Sequence, residues 1–241
     1  MTNIIISTIT FFSGIVQSVT GFGCGIVMMI FFPDIMGMIS GAAVSATTSI
    51  SLTSSVAFKF RKHVNFRILV FPLAVYVTAC TITINRIKGM NVDLLEILFG
   101  VFLILVSVYL LLIAKNAHFK FSIPVIILFA AFSGITSGLF SIGGPLMALY
   151  FLHTTKDNDE YKGTSQCFFF FTGITGFVNR ILNGIITISL IPAIVFGIIG
   201  ISFGTIVGLK ISSKLNTELT KVLVYSFVGV SGIIILLQKL I

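Results

Sequence analysis

The chain has 241 residues, of which 56% are hydrophobic and 9% charged, and its 15 Lys and Arg residues against 7 Asp and Glu residues give a formal charge of +8. Soluble domains are typically about 25% charged, and a chain of this length cannot hide so much apolar surface in a core surrounded by water. These values exclude a soluble enzyme, a secreted disulfide scaffold and a disordered tail, and they predict an integral membrane protein.

Eight apolar segments follow one another, at about residues 4–37, 41–58, 67–84, 94–114, 123–152, 165–183, 188–209 and 222–238. A helix crosses a bilayer with about 20 apolar residues, so we expect an all-α, multi-pass fold. The first and fifth segments are too long for one straight crossing, and both contain glycine clusters near their middle. We therefore expect each of these two segments to be broken or re-entrant at its glycine-rich motif.

The two long segments also begin an internal repeat. Residues 12–15 and 132–135 both read FSGI, at an offset of 120 residues, and Pro72 lies opposite Pro192 at the same offset. One residue out of register, Thr53, Phe58 and Arg61 match Thr172, Phe177 and Arg180. Duplicated halves with broken helices are typical of transporters.

We therefore expect a single transmembrane domain over residues 1–241, built from two related four-segment repeats at about 4–114 and 123–238. The basic residues bear on whether these repeats are parallel or inverted. If every segment crosses once, the basic residues divide almost evenly between the two faces, and all seven acidic residues share one face. This parallel arrangement stays open.

If the two long segments are re-entrant hairpins, the repeats are inverted and eleven basic residues share one face. They are Lys59, Arg61, Lys62, Arg67, Lys115, Lys120, Lys156, Lys162, Lys210, Lys214 and Lys221. Such a bias is typical of the cytoplasmic side of a membrane protein, so we favour inverted halves. Clusters of this kind indicate contact with membrane lipids and not with nucleic acid.

The glycine-rich breaks predict an anion-binding site. Non-helical backbone inside a membrane has N–H groups that need a partner, and helices that start at such a turn present positive dipole ends. The candidate residues of the breaks are Gln17, Ser18, Thr20, Gly21, Phe22, Gly23 and Cys24 in the first, and Ser137, Ser141, Gly143 and Gly144 in the second. The alternative is that these small residues only let helices pack closely.

Polar residues of the second and sixth segments are further candidates for this site. Two polar runs, Thr47-Thr48-Ser49 and Thr164-Ser165-Gln166, either complete the anion site or bond to their own helix backbone. Near the end of the sixth segment, Asn179 adjoins Arg180, which either anchors the helix at the interface or attracts the anion. No Asp or Glu lies in the middle of an apolar segment. We therefore expect no coupling carboxylate, and we expect no catalytic residue, metal or cofactor.

Residues 21–25 (GFGCG) and 138–145 (GLFSIGGP) resemble the paired glycine signatures of the sulfite exporter TauE/SafE family. Cys24 stands where that family commonly has glycine. The resemblance implies a secondary transporter of small sulfur-containing anions, such as sulfite or organosulfonates, in the inner or plasma membrane of the cell. Its expected partners are a small anionic substrate and membrane lipids, and a homo-oligomer is compatible with the sequence.

Export of an anion from a negative-inside cell is favourable by about 2.3 kcal/mol per charge per 100 mV. We therefore expect a facilitated exporter, which needs no coupling ion. The alternatives are an anion channel, a transporter of another small anion, and a non-transporting membrane assembly subunit. An intramembrane enzyme is disfavoured, because no HExxH motif and no pair of acidic residues occurs within the apolar segments.

Overall fold

A computed structural model describes residues 2–113, 121–211 and 217–240 of the chain. Within these ranges the secondary structure is helical, without β-strands, which confirms the all-α fold class. The α-helices are α1 (Thr2–Thr20), α2 (Cys24–Met36), α3 (Met38–Lys59), α4 (Phe66–Ile87), α5 (Val92–Val108), α6 (Ile123–Phe140), α7 (Gly144–Thr154), α8 (Asn158–Leu182), α9 (Ile191–Ile211) and α10 (Thr217–Leu240). Short 3-10 turns at Arg61–His63 and Ile188–Leu190 precede α4 and α9, and a π-helical turn, Tyr109–Ile113, follows α5.

Five helices of the described chain are long and apolar enough to cross a membrane. They are Thr2–Thr20, Phe66–Ile87, Val92–Leu111, Ile123–Phe140 and Ile188–Ile211. By length and composition, the chain is thus a multi-pass membrane protein. The helices α3 and α8 are not among the five, because α3 is rich in Ser and Thr and α8 contains charged residues near both ends.

Helices stop and restart inside both glycine-rich motifs. Between α1 and α2, Gly21 and Gly23 have φ of 86° and 106°, a conformation that side chains with a Cβ rarely adopt. Between α6 and α7, Ser141 has φ of 57° and is the one non-glycine residue with positive φ in the described chain. Each motif therefore contains a left-handed turn that ends one helix before the next begins.

The helices α4 and α8 run side by side in the same direction. Where both begin, the backbone N–H of Asn65 donates to Thr164 Oγ1 (2.9 Å) and Asn65 Nδ2 donates to Glu160 Oε1 (2.6 Å). Where both end, Asn183 Nδ2 donates to Asn85 Oδ1 (2.7 Å). These bonds define two faces of the molecule.

We name the first the basic face, after Lys59, Arg61, Lys62, Lys156 and Lys162, and the second the amide face, after Asn85, Asn179 and Asn183. Three of the eleven basic residues in the topology argument, Lys115, Lys120 and Lys214, lie outside the described residues.

The helices pack in pairs, and glycine lies where the backbones of two paired helices come close. Helix α1 packs along α9 and α6 packs along α4, while α3 lies on α8 and α5 on α10. A Cβ added at Gly14 in α1 would lie 2.9 Å from Thr205 N, and one added at Gly134 in α6 would lie 2.9 Å from Ala79 Cβ. Both glycines therefore let helix backbones meet.

Buried apolar side chains form two clusters. The smaller joins Ile6 near the start of α1, Phe32 near the end of α2 and Ile194 near the start of α9. In the larger, Tyr150 belongs to α7, and the ring of Phe121, just before α6, lies 5.2 Å from the Tyr150 ring and 6.0 Å from His153. The outer ends of α6 and α7 are thus close together, and so are those of α1 and α2.

Candidate functional site

The two breaks line one common cavity of about 90 Å³. A single water needs only about 10–15 Å³ of such space, so the cavity can hold an anion of four or five heavy atoms. Ten sequence-predicted residues line it: Gln17, Phe22, Gly23, Cys24, Ser49, Ser137, Ser141, Gly143, Gly144 and Arg180. Residues separated by more than 150 positions in the chain therefore share one small space.

The breaks touch one another directly. A Cβ added at Gly25, in the first turn of α2, would lie 2.7 Å from the carbonyl oxygen of Ser141 in the second break. A Cβ added at Gly144 would lie 3.5 Å from the Cβ of Phe22 in the first break. Glycine at position 25 therefore allows the backbones of the two breaks to meet, whereas a Cβ at position 144 would make an ordinary van der Waals contact.

Neutral side chains hold the first break. Gln17 Oε1 accepts a hydrogen bond from the backbone N–H of Cys24 (3.2 Å), and Gln166 Nε2 donates to the carbonyl of Gly21 (3.3 Å). Gln17 is 6% exposed and Gln166 is 5% exposed. Two buried carboxamides thus fix the end of α1 relative to the start of α2, and they add no formal charge.

A guanidinium group holds the second break. Arg180 is 2% exposed, and its Nη2 donates to the carbonyls of Ser137 (3.0 Å) and Gly138 (3.2 Å) and to Ser141 Oγ (3.1 Å). Ser141 Oγ in turn donates to the carbonyl of Ala42 in α3. The alternative of an interfacial anchor is wrong for Arg180, because its side chain is buried against the last turn of α6.

The acceptors of Arg180 in the described chain are carbonyl and hydroxyl oxygens, without a carboxylate. Apart from the three atoms just named, the Gly176 carbonyl accepts from Nη1 at 3.4 Å. The carbonyl end of a helix carries partial negative charge, so the end of α6 offsets part of the guanidinium charge. Because Arg180 also lines the cavity, a positive group without an acidic partner faces it.

Two helices begin at the cavity. Helix α2 starts at Cys24 after Gly23, and α7 starts at Gly144 after Gly143. At α2 the N–H of Cys24 is bound by Gln17 Oε1, and at α7 the second residue, Pro145, has no N–H, so each end offers only part of its first turn. The first N–H groups of a helix have no partner within the helix. Their orientation makes such ends favourable sites for anions.

A larger vestibule of about 930 Å³ lies between the basic face and the cavity. Its outer part is lined by Lys59, Lys162 and His153, and it shares Gln17 and Phe22 with the cavity. The ammonium groups of Lys59 and Lys162 lie 5.6 Å and 5.5 Å from the ring centre of Phe60, which also lines the vestibule. The two lysines therefore place positive charge in the outer part of the vestibule. Four predicted residues, Ser18, Thr20, Gly21 and Gln166, line the vestibule.

The amide face is held closed between α4 and α8. Asn179 Nδ2 donates to Thr81 Oγ1 (3.1 Å), in addition to the bond between Asn183 and Asn85. None of these four side chains lines the cavity or the vestibule. Among the described residues the two faces therefore differ, since the wide vestibule lies on the side of the basic face.

Five of the predicted site residues line neither space: Thr47, Thr48, Thr164, Ser165 and Asn179. Thr47 donates to the carbonyl one turn earlier in α3, and Thr164 accepts from the N–H just before α4. Thr48 Oγ1 and Ser165 Oγ are buried without a hydrogen-bond partner in the described chain. These residues lie in the packing between helices.

Several residues that line the cavity were not among the sequence candidates. Thr53 of α3, Tyr76 of α4, and Phe169 and Thr172 of α8 are the main ones, whereas Ser49 of α3 belongs to the candidate polar run and does line the cavity. A signal existed for two of them, because Thr53 and Thr172 match one another in the repeat. Nothing in the sequence singled out Tyr76.

Ionisable groups that could hold a metal do not cluster in the described part of the chain, where no group of three or more His, Cys, Asp or Glu has suitable geometry. Cys24, Cys80 and Cys167 are free and buried. At the basic face, outside the apolar segments, the backbone N–H of Lys156 and the side chain of Asn65 hold the pKa of Glu160 below its ordinary value.

Comparison with known proteins agrees with the resemblance noted in the sequence. The model of one family, described as Sulfite exporter TauE/SafE, matches residues 6–235 of the 241. No match was found among curated proteins or among solved structures. The matched range includes both breaks, Arg180 and the residues of the vestibule. The chain therefore belongs to the sulfite exporter TauE/SafE family, a family of membrane transporters.

Proposed function

We propose that this chain exports small sulfur-containing anions, such as sulfite or organosulfonates, across the inner or plasma membrane by alternating access. The observation that carries the proposal is the common cavity of the two breaks, with the buried guanidinium of Arg180 in its wall. The family supplies the general class, a transporter of sulfur anions. The substrate and the direction are our proposals.

Electrostatics of the cavity favour a bound anion. A buried cation without an acidic partner is costly, and an anion beside it removes much of that cost. The hydroxyl protons of Ser141 and Thr172 are donated to the carbonyls of Ala42 and Phe169. Ser137 brings a hydroxyl group to the cavity, and the start of α7 brings the backbone N–H of Gly144. Such donors recognise charge and size, and they suit oxygen-rich anions.

We further propose that the chain is one domain of two inverted repeats, at about 4–114 and 123–238, with α1–α2 and α6–α7 as re-entrant hairpins. Exchanging the first five helices with the last five maps the α1–α9 pair onto the α6–α4 pair, and it maps α3–α8 and α5–α10 onto themselves. The contact of Phe121 with His153 and the shared cluster of Ile6 and Phe32 support the hairpins, because each brings the outer ends of one pair together.

Direction follows from the two faces. We assign the basic face to the cytoplasm, because positive residues concentrate on that side of membrane proteins. The vestibule then receives anions from the cytoplasm, while the amide face is closed. A negative-inside potential of 100 mV favours the exit of each negative charge by about 2.3 kcal/mol, so export needs no coupling ion.

Flux measurements on the purified protein in liposomes test the function. We expect saturable efflux of sulfite from loaded vesicles that becomes faster when the interior is made negative. Absence of sulfite and sulfonate flux would contradict the transporter. Flux that ignores the membrane potential would contradict electrophoretic export, and single-channel currents would favour an anion channel instead.

Labelling of Cys24 tests whether the cavity is the binding site. Cys24 lines the cavity, and replacing Cys80 and Cys167 with alanine leaves it as the only thiol. We expect a negatively charged methanethiosulfonate reagent to react with Cys24 from the basic face, and we expect sulfite-like anions to slow the reaction. Labelling at an unchanged rate in saturating substrate would place the site elsewhere.

Side-specific labelling tests the inverted arrangement. Lys62 at the basic face and Thr187 after α8 are both exposed. In a cysteine-free background, Lys62→Cys and Thr187→Cys should react from opposite sides of the membrane. Reaction of both from the same side would refute the proposed hairpins and support parallel repeats.

A further inference from the structure

We propose that the site accepts one negative charge, so that it selects monovalent over divalent anions of similar size. This inference rests on the proposed function and specifies the charge of the substrate. It follows from the charges of the side chains and of the helix ends around the cavity.

One formal charge faces the cavity. Arg180 is the one formally charged side chain among the described residues that line it. Other polar lining groups, such as those of Gln17, Ser49, Thr53 and Thr172, are carboxamides and hydroxyls without formal charge. Lys59 and Lys162 line the vestibule and are absent from the lining of the cavity.

The helix ends add no net charge to first order. Helices α2 and α7 begin at the breaks with partial positive charge, and α1 and α6 end at the same breaks with partial negative charge. Each helix end is worth about half an elementary charge, so the two beginnings and the two ends cancel. Their arrangement can orient an anion, but the excess charge at the site is that of Arg180.

A monovalent anion therefore forms a neutral pair with Arg180, whereas a divalent anion leaves one negative charge buried and unpaired. Removing the partner of a buried charge is strongly unfavourable. We expect the site to prefer the monovalent anion by about 100-fold or more. A neutral site made only of hydroxyls and amides would select anions by their size, and it would not prefer the monovalent anion.

Methanesulfonate and sulfate are a suitable pair of probes, because both are tetrahedral at sulfur and they differ by a methyl group against a charged oxygen. The whole chain in liposomes is used, and each anion is tested as a competitor of Cys24 labelling and of sulfite efflux. We expect methanesulfonate to compete at about 100-fold lower concentration than sulfate. Equal competition by the two anions would overturn the inference.

A variant with a second positive charge should weaken this preference. Thr172 lines the cavity and is 6% exposed, so Thr172→Lys adds a second cation to the cavity that Arg180 also lines. We expect competition by sulfate to improve at least tenfold relative to methanesulfonate, and we expect the control Thr172→Met to keep the original ratio. An unchanged ratio in a folded Thr172→Lys protein would contradict the charge argument.

If the Thr172→Lys protein does not fold, the charge of the transported ion can be measured with the wild-type protein. Sulfite solutions near neutral pH contain both the monovalent and the divalent ion, so the charge moved per sulfur identifies the transported ion. We expect one elementary charge per sulfur, and a value of two would overturn the inference. Absence of flux and competition for all these anions would overturn the proposed function as well, whereas loss of charge selectivity alone would leave it standing.

Discussion

The two glycine breaks have similar backbones, yet different groups hold them in place. In the first break, the carboxamides of Gln17 and Gln166 bind one backbone N–H and one backbone carbonyl. In the second, the guanidinium of Arg180 binds two carbonyls of α6 and the hydroxyl of Ser141. One break is therefore neutral and the other is charged, although both line the same cavity.

The repeat partner of Arg180 makes the difference clearer. In the proposed alignment Arg180 corresponds to Arg61, and both are arginine. Arg61 is exposed at the basic face, where its Nη1 donates to the Phe58 carbonyl (3.0 Å) and its guanidinium lies 4.2 Å from the Phe58 ring. The same side chain thus serves the surface in one half and the cavity in the other. In the proposed arrangement of two repeats, the cavity thus holds a single arginine charge although both halves contain the arginine.

The largest effect should come from removing that charge. We expect Arg180→Gln to lower sulfite efflux about 100-fold or more, because the bound anion loses its buried counter-charge. Arg180→Lys should recover part of the flux, since lysine keeps the charge and loses the planar set of donors. The matched control is Arg61→Gln, which should leave efflux within about twofold. Similar losses in both arginine variants would remove the asymmetry between the halves.

A Cβ in the first break should have a smaller effect. Gly23 has φ of 106°, and a residue with a Cβ in the left-handed region costs about 1–2 kcal/mol. We expect Gly23→Ala to reduce efflux about tenfold and to lower the temperature of unfolding. Gly89→Ala is the control, because Gly89 lies in a loop where the nearest atom to an added Cβ is 3.7 Å away. Normal efflux in Gly23→Ala would show that the turn tolerates this strain.

The carboxamides should each matter by a few-fold. A neutral hydrogen bond contributes about 1 kcal/mol, so we expect Gln17→Met and Gln166→Met to lower efflux about fivefold. Both variants should keep the ratio between methanesulfonate and sulfate, because neither alters the charge of the cavity. A change in that ratio would mean that the first break also helps to recognise charge.

Apolar length and glycine position predicted much of this architecture. A segment longer than the bilayer is thick must break or turn back, and glycine is the residue that tolerates such a turn. The sequence therefore predicted the position of both breaks and most of the break residues that line the cavity. The burial of Arg180 was harder to foresee. An arginine near the end of an apolar segment is often interfacial, and the sequence does not show that this guanidinium reaches the carbonyls in the last turn of α6.

For most of the other residues that were predicted wrongly, the sequence did not show which face of the helix points to the cavity. In water, an apolar stripe shows which face of a helix is buried, but in a membrane the outer face is apolar too. Thr47, Thr48 and Ser49 were therefore grouped together, although in this run Ser49 alone lines the cavity, and Thr53 of the same helix lines it too. Tyr76 lies in an apolar helix, α4, whose sequence does not show which face meets α8.

The smallest effect should come from Glu160, at the opposite end of α8 from Arg180. Its carboxylate accepts from the backbone N–H of Lys156 (2.8 Å) and from Asn65 Nδ2 (2.6 Å), which lowers its pKa in the folded protein. A lowered folded-state pKa stabilises the fold above the unfolded-state value of about 4.3, and this contribution is lost as the pH falls through the folded-state value.

We therefore expect Glu160→Gln to reduce the loss of thermal stability between about pH 5 and pH 3, by a small amount because the carboxylate is close to solvent. Efflux at neutral pH and the preference for methanesulfonate over sulfate should stay the same. Because Glu160 and Arg180 lie on the same helix, the Glu160→Gln variant tests whether a charged group on α8 that is far from the cavity also affects anion selectivity. A changed anion preference in Glu160→Gln would mean that charge at the basic face reaches the cavity, and Arg180 would then no longer account for the difference between the two breaks.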